Sequence, residues 1–309
     1  MRAAVLHELG GVPAAEDFAE PVAGPGQEVV EVVAAGINPV DLAIAAGRFY
    51  GPPPQLPAPV GSEAVVRRAD GRLGYVAKVA SGALAERAVV GTDSVIDLLE
   101  GIQPGEAIAA GIAGLAAWGG LEHGARLAAG EKVVVLGASG AVGQIAVQAA
   151  KVLGAGLVVG AARSAEGIDR LRRLELDATV EIEGDGLADR LATAAEGGFD
   201  VCIDLIYGPA LLAALGAMAP LGRVVQIGNA AAPTLELPAG ALRARNLSLI
   251  GYSSARLSPD EAAATYRKVA DRFVAGDLKI ELEELSLEEV GSAWSRQAGS
   301  PHRKLVVIP

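Results

Sequence analysis

One stretch constrains the fold more than any other: Lys132-Val-Val-Val-Leu-Gly-Ala-Ser-Gly-Ala-Val-Gly-Gln-Ile-Ala-Val-Gln-Ala-Ala-Lys-Val-Leu-Gly-Ala155. Val133 to Leu136 is a short apolar run suited to a parallel strand covered on both faces. After Gly143 the apolar side chains recur at helical spacing until Gly154 stops them. The glycines sit at the junction. Gly140 and Gly143, with the small Ala138 and Ala141, allow close approach of the backbone to a pyrophosphate. The N–H groups that open the helix, at Ser139 to Gly143 with Val142 among them, and the helix dipole attract its charge. Tight strand-to-helix turns in any α/β protein favour glycine, so the motif alone is also compatible with a purely structural turn. A second apolar run at Leu157 to Ala162 supplies the context of a dinucleotide-binding unit.

An NAD-binding unit usually carries Asp or Glu at the end of that second strand, for the ribose 2′-hydroxyl. Here the residues are Ala161-Ala162-Arg163-Ser164. No carboxylate repels a 2′-phosphate and Arg163 can pair with one, which favours NADPH over NADH. The alternative is that Arg163 is a solvated loop residue.

The 309 residues provide length for about two domains, and 51% apolar content supplies two cores. The longest uncharged run, Ala107 to Leu121, is glycine-interrupted and shorter than the ~20 apolar residues of a membrane helix. The opening Met-Arg-Ala-Ala-Val-Leu-His-Glu turns polar too soon for a secretory signal, so a soluble, cytoplasmic protein is expected. A net charge of −11 disfavours nucleic acid and anionic membrane as partners. The one basic cluster, Arg170, Arg172 and Arg173, lies beside Asp169 and Glu175 and reads as a solvated helix face. The single cysteine, Cys202, excludes a disulfide framework within one chain.

Short runs at Ala3 to Leu6, Glu28 to Val33, Ala64 to Arg67 and Leu84 to Val90, broken by Gly and Pro, predict a compact irregular β-domain. From about Ala113 strand and helix alternate, through Phe199 to Leu205, Pro209 to Ala219, Arg223 to Ile227 and Leu247 to Gly251, which is doubly wound α/β order. Ser258-Pro-Asp-Glu261 marks a helix start, and the helix should run to about Val274. Lys304 to Ile308 is expected as a final strand rejoining the N-terminal domain, with the two domains flanking one cleft.

Five strings, Ala35-Gly-Ile-Asn-Pro-Val-Asp41, Gly114-Leu-Ala-Ala-Trp118, Gly137-Ala-Ser-Gly-Ala-Val-Gly143, Phe199-Asp-Val-Cys-Ile-Asp204 and Gly222-Arg-Val-Val-Gln-Ile-Gly228, span nearly the whole chain. In this order and spacing the sequence resembles the medium-chain dehydrogenase/reductase superfamily, in its zinc-free quinone oxidoreductase branch. The resemblance implies a chaperonin-10-like irregular β-domain (1–112 and 252–309), a Rossmann domain with a doubly wound parallel sheet (113–251), and NADPH in the cleft. It places Asn38 near the nicotinamide ribose, where its amide would bind ribose or substrate carbonyl, unless it only caps a turn. Asp41 reads as a helix cap rather than a catalytic group. Relatives carry a substrate-facing tyrosine two residues after the glycine of this loop. Here, counted from Gly47, that place is Phe49 and Tyr50 is one residue late. Either the loop shifts register and Tyr50 donates a proton, or the substrate packs on Phe49.

Leu205, Ile227, Gly228 and Asn229 follow two predicted strands at the ends where ligands bind in open sheets. Gly251-Tyr252-Ser253 matches a segment that meets the nicotinamide carboxamide in relatives. Lys304 is placed near the cofactor phosphates or, equally, on the surface. Ala116 and Ile182 depart from the threonine and tyrosine common in relatives.

A zinc site is not expected: Asn38 stands where related alcohol dehydrogenases have a cysteine, and His7, His123 and His302 are isolated. Without a Lewis acid an unactivated ketone is a poor acceptor, whereas a quinone or a carbonyl-conjugated alkene spreads the charge that follows hydride addition. The reading is therefore an NADPH-dependent quinone or enone reductase, expected as a homodimer paired through Leu247 to Gly251. The alternatives are an enoyl-thioester reductase, with Arg67, Arg68 and Arg72 at its mouth, and a non-catalytic NADPH-binding sensor.

Overall fold

The computed structural model describes residues 1–309. By contact density the chain forms two units, one comprising Met1–Ile112, Tyr266–Val274 and Ile280–Pro309, the other Ala113–Thr265 and Ala275–Lys279.

The second unit is built on six strands: Lys132–Leu136, Leu157–Ala162, Ala178–Glu181, Phe199–Asp204, Met218–Gln226 and Ser248–Gly251. Every neighbouring pair is parallel. Numbered along the chain within this sheet, the order is 3-2-1-4-5-6, the doubly wound arrangement. Val133 to Leu136 are fully buried, as a central parallel strand requires. Helices at Ala141–Val152, Ala165–Arg172, Leu187–Ala194 and Pro209–Gly216 follow the first four strands. On one side of the sheet Val134, Leu136, Val159, Phe199, Cys202, Leu211 and Val224 share a core. The first helix ends where Gly154 takes φ +91° and the Ala155 N–H returns to the Ala150 carbonyl.

The fifth strand starts at Met218, before the expected Arg223, and the preceding helix stops at Gly216. A register shift between Phe199 and Val201, with Leu221 at φ +65° donating to the Arg245 carbonyl, lets extended chain run through this bend. Residues 252–265 cluster with this unit rather than with the first, later than the expected boundary at 252. The reason is local packing: the Tyr252 ring occupies the space a side chain at Gly119 would need, and Thr265 Oγ1 meets His123 Nε2 at 3.2 Å.

In the first unit, the eleven-residue Gln27–Ile37 strand is the organiser. It pairs antiparallel with Glu63–Arg67, Arg87–Gly91 and the C-terminal Lys304–Ile308, which brings the chain end into the N-terminal sheet. Leu282–Ser286 extends that sheet beside Lys304–Ile308. A smaller sheet sets Arg2–Leu6 between Ala14–Asp17 and Ala58–Pro59. Leu6, Ile37, Val66, Leu84, Trp294 and Val307 lie in the common core. The Pro259–Val274 helix, whose residues up to Thr265 cluster with the second unit, begins as its sequence dictates, with Ser258 and Glu261 bonding reciprocally.

Candidate functional site

In the second unit the turn after the first strand is shaped for close backbone approach. Gly137 adopts φ +79°, and the N–H groups of Gly137 and Ala138 both donate to the Ala161 carbonyl, which pins the turn to the second strand. Gly140 is extended and starts the Ala141–Val152 helix. A Cβ at Gly143 would stand 2.5 Å from Ala138 Cα and from the Gly137 oxygen, so only glycine lets the helix seat on the turn. The N–H groups of Ala141, Val142 and Gly143 open that helix and have no carbonyl four residues back within it. A helix N-terminus carries the positive end of the dipole, which suits a pyrophosphate.

The ends of the fourth and fifth strands lie beside this turn. Asp204 Oδ1 accepts from the Ile206 and Tyr207 N–H groups at 3.1 and 2.9 Å, closing the strand end, while its buried Oδ2 has no partner. Burial raises this carboxyl above the ordinary range despite those two bonds. The Ile227 and Gly228 N–H groups donate to the Asp204 carbonyl, and a side chain at Gly228 would collide with the Leu205 oxygen. Leu205, Ile227, Gly228 and Asn229 are thus gathered at one end of the sheet. The Gly251–Ser253 segment follows the sixth strand, with the Tyr252 N–H on the Gln226 carbonyl. The Tyr252 hydroxyl is pushed up to about 12, by burial first and then by Glu122 and Glu261. Ser164 caps the Ala165–Arg172 helix through the Gly167 N–H at 3.2 Å. Arg163 is exposed, its Nε 3.9 Å from Glu183.

The first unit holds a cluster that the sequence reading missed. Glu63 is fully buried and Lys304 is 2% exposed. Their Oε1 and Nζ are 2.6 Å apart. Lys304 Nζ also donates to Asn38 Oδ1 at 2.5 Å, and Asn38 Nδ2 donates to Glu63 Oε1 at 2.8 Å and to Asp41 Oδ2 at 3.2 Å. Glu63 Oε2 accepts from the Tyr75 hydroxyl and the Ile112 N–H, both at 2.8 Å. Gly36 leaves room for the pair, since a Cβ there would meet Lys304 Nζ at 2.8 Å. Asp41 Oδ2 accepts from the Asn38 N–H at 2.7 Å, and Asp41 Oδ1 accepts from Ser62 at 2.5 Å. Asp41 therefore closes the N-terminus of the Pro39–Ala45 helix. Burial is the largest influence on its carboxyl and pushes it up to about 6, against the bonds from Ser62 and Asn38.

Two sequence expectations change here. Lys304 is engaged inside the first unit by Glu63 and Asn38, so neither phosphate contact nor a surface position describes it. The orientation of the Asn38 amide follows from its partners: an ammonium only donates and carboxylates only accept, which fixes Oδ1 toward Lys304 and Nδ2 toward the acids. Both Nδ2 hydrogens are in use. Donation to a substrate carbonyl does not fit; what remains is an Oδ1 lone pair, an acceptor. The signal for the cluster lay in Glu63 and Lys304, each a charge opening a short strand whose next three residues are apolar.

Tyr50 is 81% exposed, whereas the neighbouring Phe49 lines a pocket of about 190 Å³ with Ile44, Gly47, Gly51, Pro52 and Pro53. Arg67, Arg68 and Arg72 each pair with an acid, Glu31, Glu28, and Asp70 with Asp97. Arg170 and Arg172 pair along their own helix with Glu166 and Asp169.

Comparison with known proteins adds the family. Residues 141–274 match the model of a family described as zinc-binding dehydrogenase. No group of three His, Cys, Asp or Glu side chains that could hold a metal ion is found in the structure. Cys202 is buried in a strand, where burial raises its thiol well above the ordinary range. A mycocerosic acid synthase-like polyketide synthase of Mycolicibacterium smegmatis is 33% identical over 92% of the chain, which spans only 14% of that protein. The quinone oxidoreductase of Thermus thermophilus, solved also in complex with NADPH, superimposes over the whole of both chains with a TM-score of 0.84 at 29% identity. The quinone oxidoreductase of Homo sapiens is 30% identical over 82% of this chain and 80% of its own length. The chain therefore belongs to the quinone oxidoreductase branch of the medium-chain dehydrogenase/reductase superfamily.

Proposed function

We propose that the protein is an NADPH-dependent reductase that delivers hydride to a quinone or an α,β-unsaturated carbonyl without zinc. The observation that carries this reading is the glycine turn at Gly137–Gly143, which excludes any side chain at Gly143 and leads directly into a helix N-terminus. NADPH, when bound, supplies the hydride. The residues of the chain bind and orient. The N–H groups of 141–143 hold the pyrophosphate, Arg163 takes the 2′-phosphate, and the backbone of 251–253 orients the carboxamide. Leu205, Ile227, Gly228 and Asn229 form the floor beyond the strand ends. Asn38, with both amide hydrogens engaged, is left as an acceptor for a ligand hydroxyl. The Phe49 pocket suits an apolar ring, and the proton that completes the reduction comes from solvent or from the exposed Tyr50. A conjugated acceptor needs only hydrogen-bond donors for its developing oxyanion.

One observation favours a second substrate class: the match to a polyketide synthase, an enzyme type that works on acyl thioesters, covers 92% of the chain. Against it, the three arginines proposed for a thioester mouth are already paired with acids. NADPH oxidation followed at the nicotinamide absorbance separates the readings. Turnover with small quinones supports the first, turnover with enoyl thioesters alone the second, and saturable binding without oxidation a sensor. No helix is long and apolar enough to cross a membrane. The Ser248–Gly251 strand is paired on one side only, and its free edge is the proposed homodimer contact, which light scattering tests.

A further inference from the structure

The third strand of the parallel sheet ends at Glu181, and the following turn lies against the end of the second strand through the Ile182 N–H on the Ala162 carbonyl at 2.8 Å. Arg190 braces this turn: its guanidinium donates to the carbonyl oxygens of Glu181 and Glu183, at 2.9 and 2.8 Å, and to that of Asp185. Gly184 and Gly186, both at positive φ, let the chain fold back around it. The braced turn presents the Glu183 carboxylate to Arg163, with Oε1 3.9 Å from Nε and both side chains about two thirds exposed (66% and 67%). The residue assigned to a 2′-phosphate thus already has an anionic neighbour on an independently anchored segment.

We infer that Glu183 is a specificity-determining residue that competes with a 2′-phosphate for the Arg163 guanidinium and accepts a hydrogen bond from an unphosphorylated ribose. This deepens the proposed dinucleotide reading and rests on it. In an NAD-binding unit the carboxylate for the 2′-hydroxyl stands at the end of the second strand. Here that position is free of acid, and the third strand's turn supplies one nearby. A phosphate dianion beside Arg163 meets the repulsion of Glu183, whereas a neutral hydroxyl does not. The chain should therefore bind both NADPH and NADH, with a preference for NADPH narrower than Arg163 alone would set.

The test is fluorescence titration of the protein with NADPH and NADH, at low ionic strength and again near physiological salt, for the native chain, Glu183→Gln and Arg163→Ala. Arg190 contacts only the backbone oxygen of Glu183, so the substitution leaves the brace in place. Removing one charge at this range in water should raise the NADPH-to-NADH affinity ratio by roughly threefold to tenfold, less at higher salt. Arg163→Ala should move the ratio the other way. An unchanged ratio in Glu183→Gln, with both nucleotides still binding, overturns the role of Glu183 and leaves the dinucleotide reading standing. Absence of saturable binding by either nucleotide to the native chain overturns both.

Discussion

Replacing Lys304 by methionine tests the central claim about the first unit, that its buried acids are held by one ammonium. Lys304 is 2% exposed, and its Nζ lies 2.6 Å from Glu63 and 2.5 Å from Asn38. Methionine keeps much of the stem and deletes the charge. Breaking a buried pair by removing one partner costs about 3–5 kcal/mol, because the remaining ion loses its compensation. Glu63 keeps three neutral donors, from Asn38, Tyr75 and Ile112, which puts the expected loss near the lower end, about 3 kcal/mol. The chain's two tryptophans allow the measurement to be local: Trp294 belongs to the first unit and Trp118 to the second. With Trp118→Phe as background, urea unfolding followed by Trp294 fluorescence reports the unit that holds the cluster. Lys304→Met/Glu63→Gln should recover a large part of the loss, since no unpaired charge is then buried at this position. A single-variant loss below about 1 kcal/mol, or a double variant no more stable than the single, would refute the reasoning.

Asp41 gives a pH signature. Its carboxyl stands at about 6 in the folded protein against an ordinary 3.8, so the folded chain keeps a proton that the unfolded chain has released between these values. Stability should fall as pH rises through that window, by on the order of 3 kcal/mol, and Asp41→Asn should flatten the slope; equal slopes in unfolding titrations at pH 4 to 7 would remove the claim. Gly143→Ala places a methyl group against backbone at Ala138 and Gly137, so a loss of about 1–3 kcal/mol and of NADPH binding is expected by calorimetry. Arg163→Ala should lower the NADPH-to-NADH affinity ratio roughly tenfold, the discrimination expected of one charge-assisted contact at an exposed position; an unaltered ratio removes the 2′-phosphate assignment.

The parts of the fold legible in the sequence were those written in local patterns. Val133 to Leu136, the glycines after it and the helix to Gly154 report themselves through periodicity and steric demand, and so does the Ser258–Glu261 cap. The Leu282–Ser286 strand was not legible, because its partner is the chain terminus and its own pattern, Leu-Glu-Glu-Leu-Ser, does not alternate cleanly. The Lys304–Glu63 pair was hidden for a related reason: 241 residues separate its members, and each looks in isolation like a surface charge at a strand start. Glu183 was equally silent. Its significance comes from Arg190 and from the backbone bond between Ile182 and Ala162, neither of which leaves a periodic trace.

The two units handle polar groups in opposite ways, and this difference gives the proposed chemistry its physical basis. Around Asn38 the donors are largely taken up: both amide hydrogens, the Tyr75 hydroxyl and the Ile112 N–H end on protein acceptors, and the ammonium donates to two. At Ala141–Gly143 the N–H groups opening the helix find no acceptor within that helix. An anion consequently gains more at the turn than at the cluster, where it would meet Glu63 and Asp41. The cluster's use is geometric: it fixes one amide and one helix start at the expense of buried charge, which a less constrained arrangement would not need.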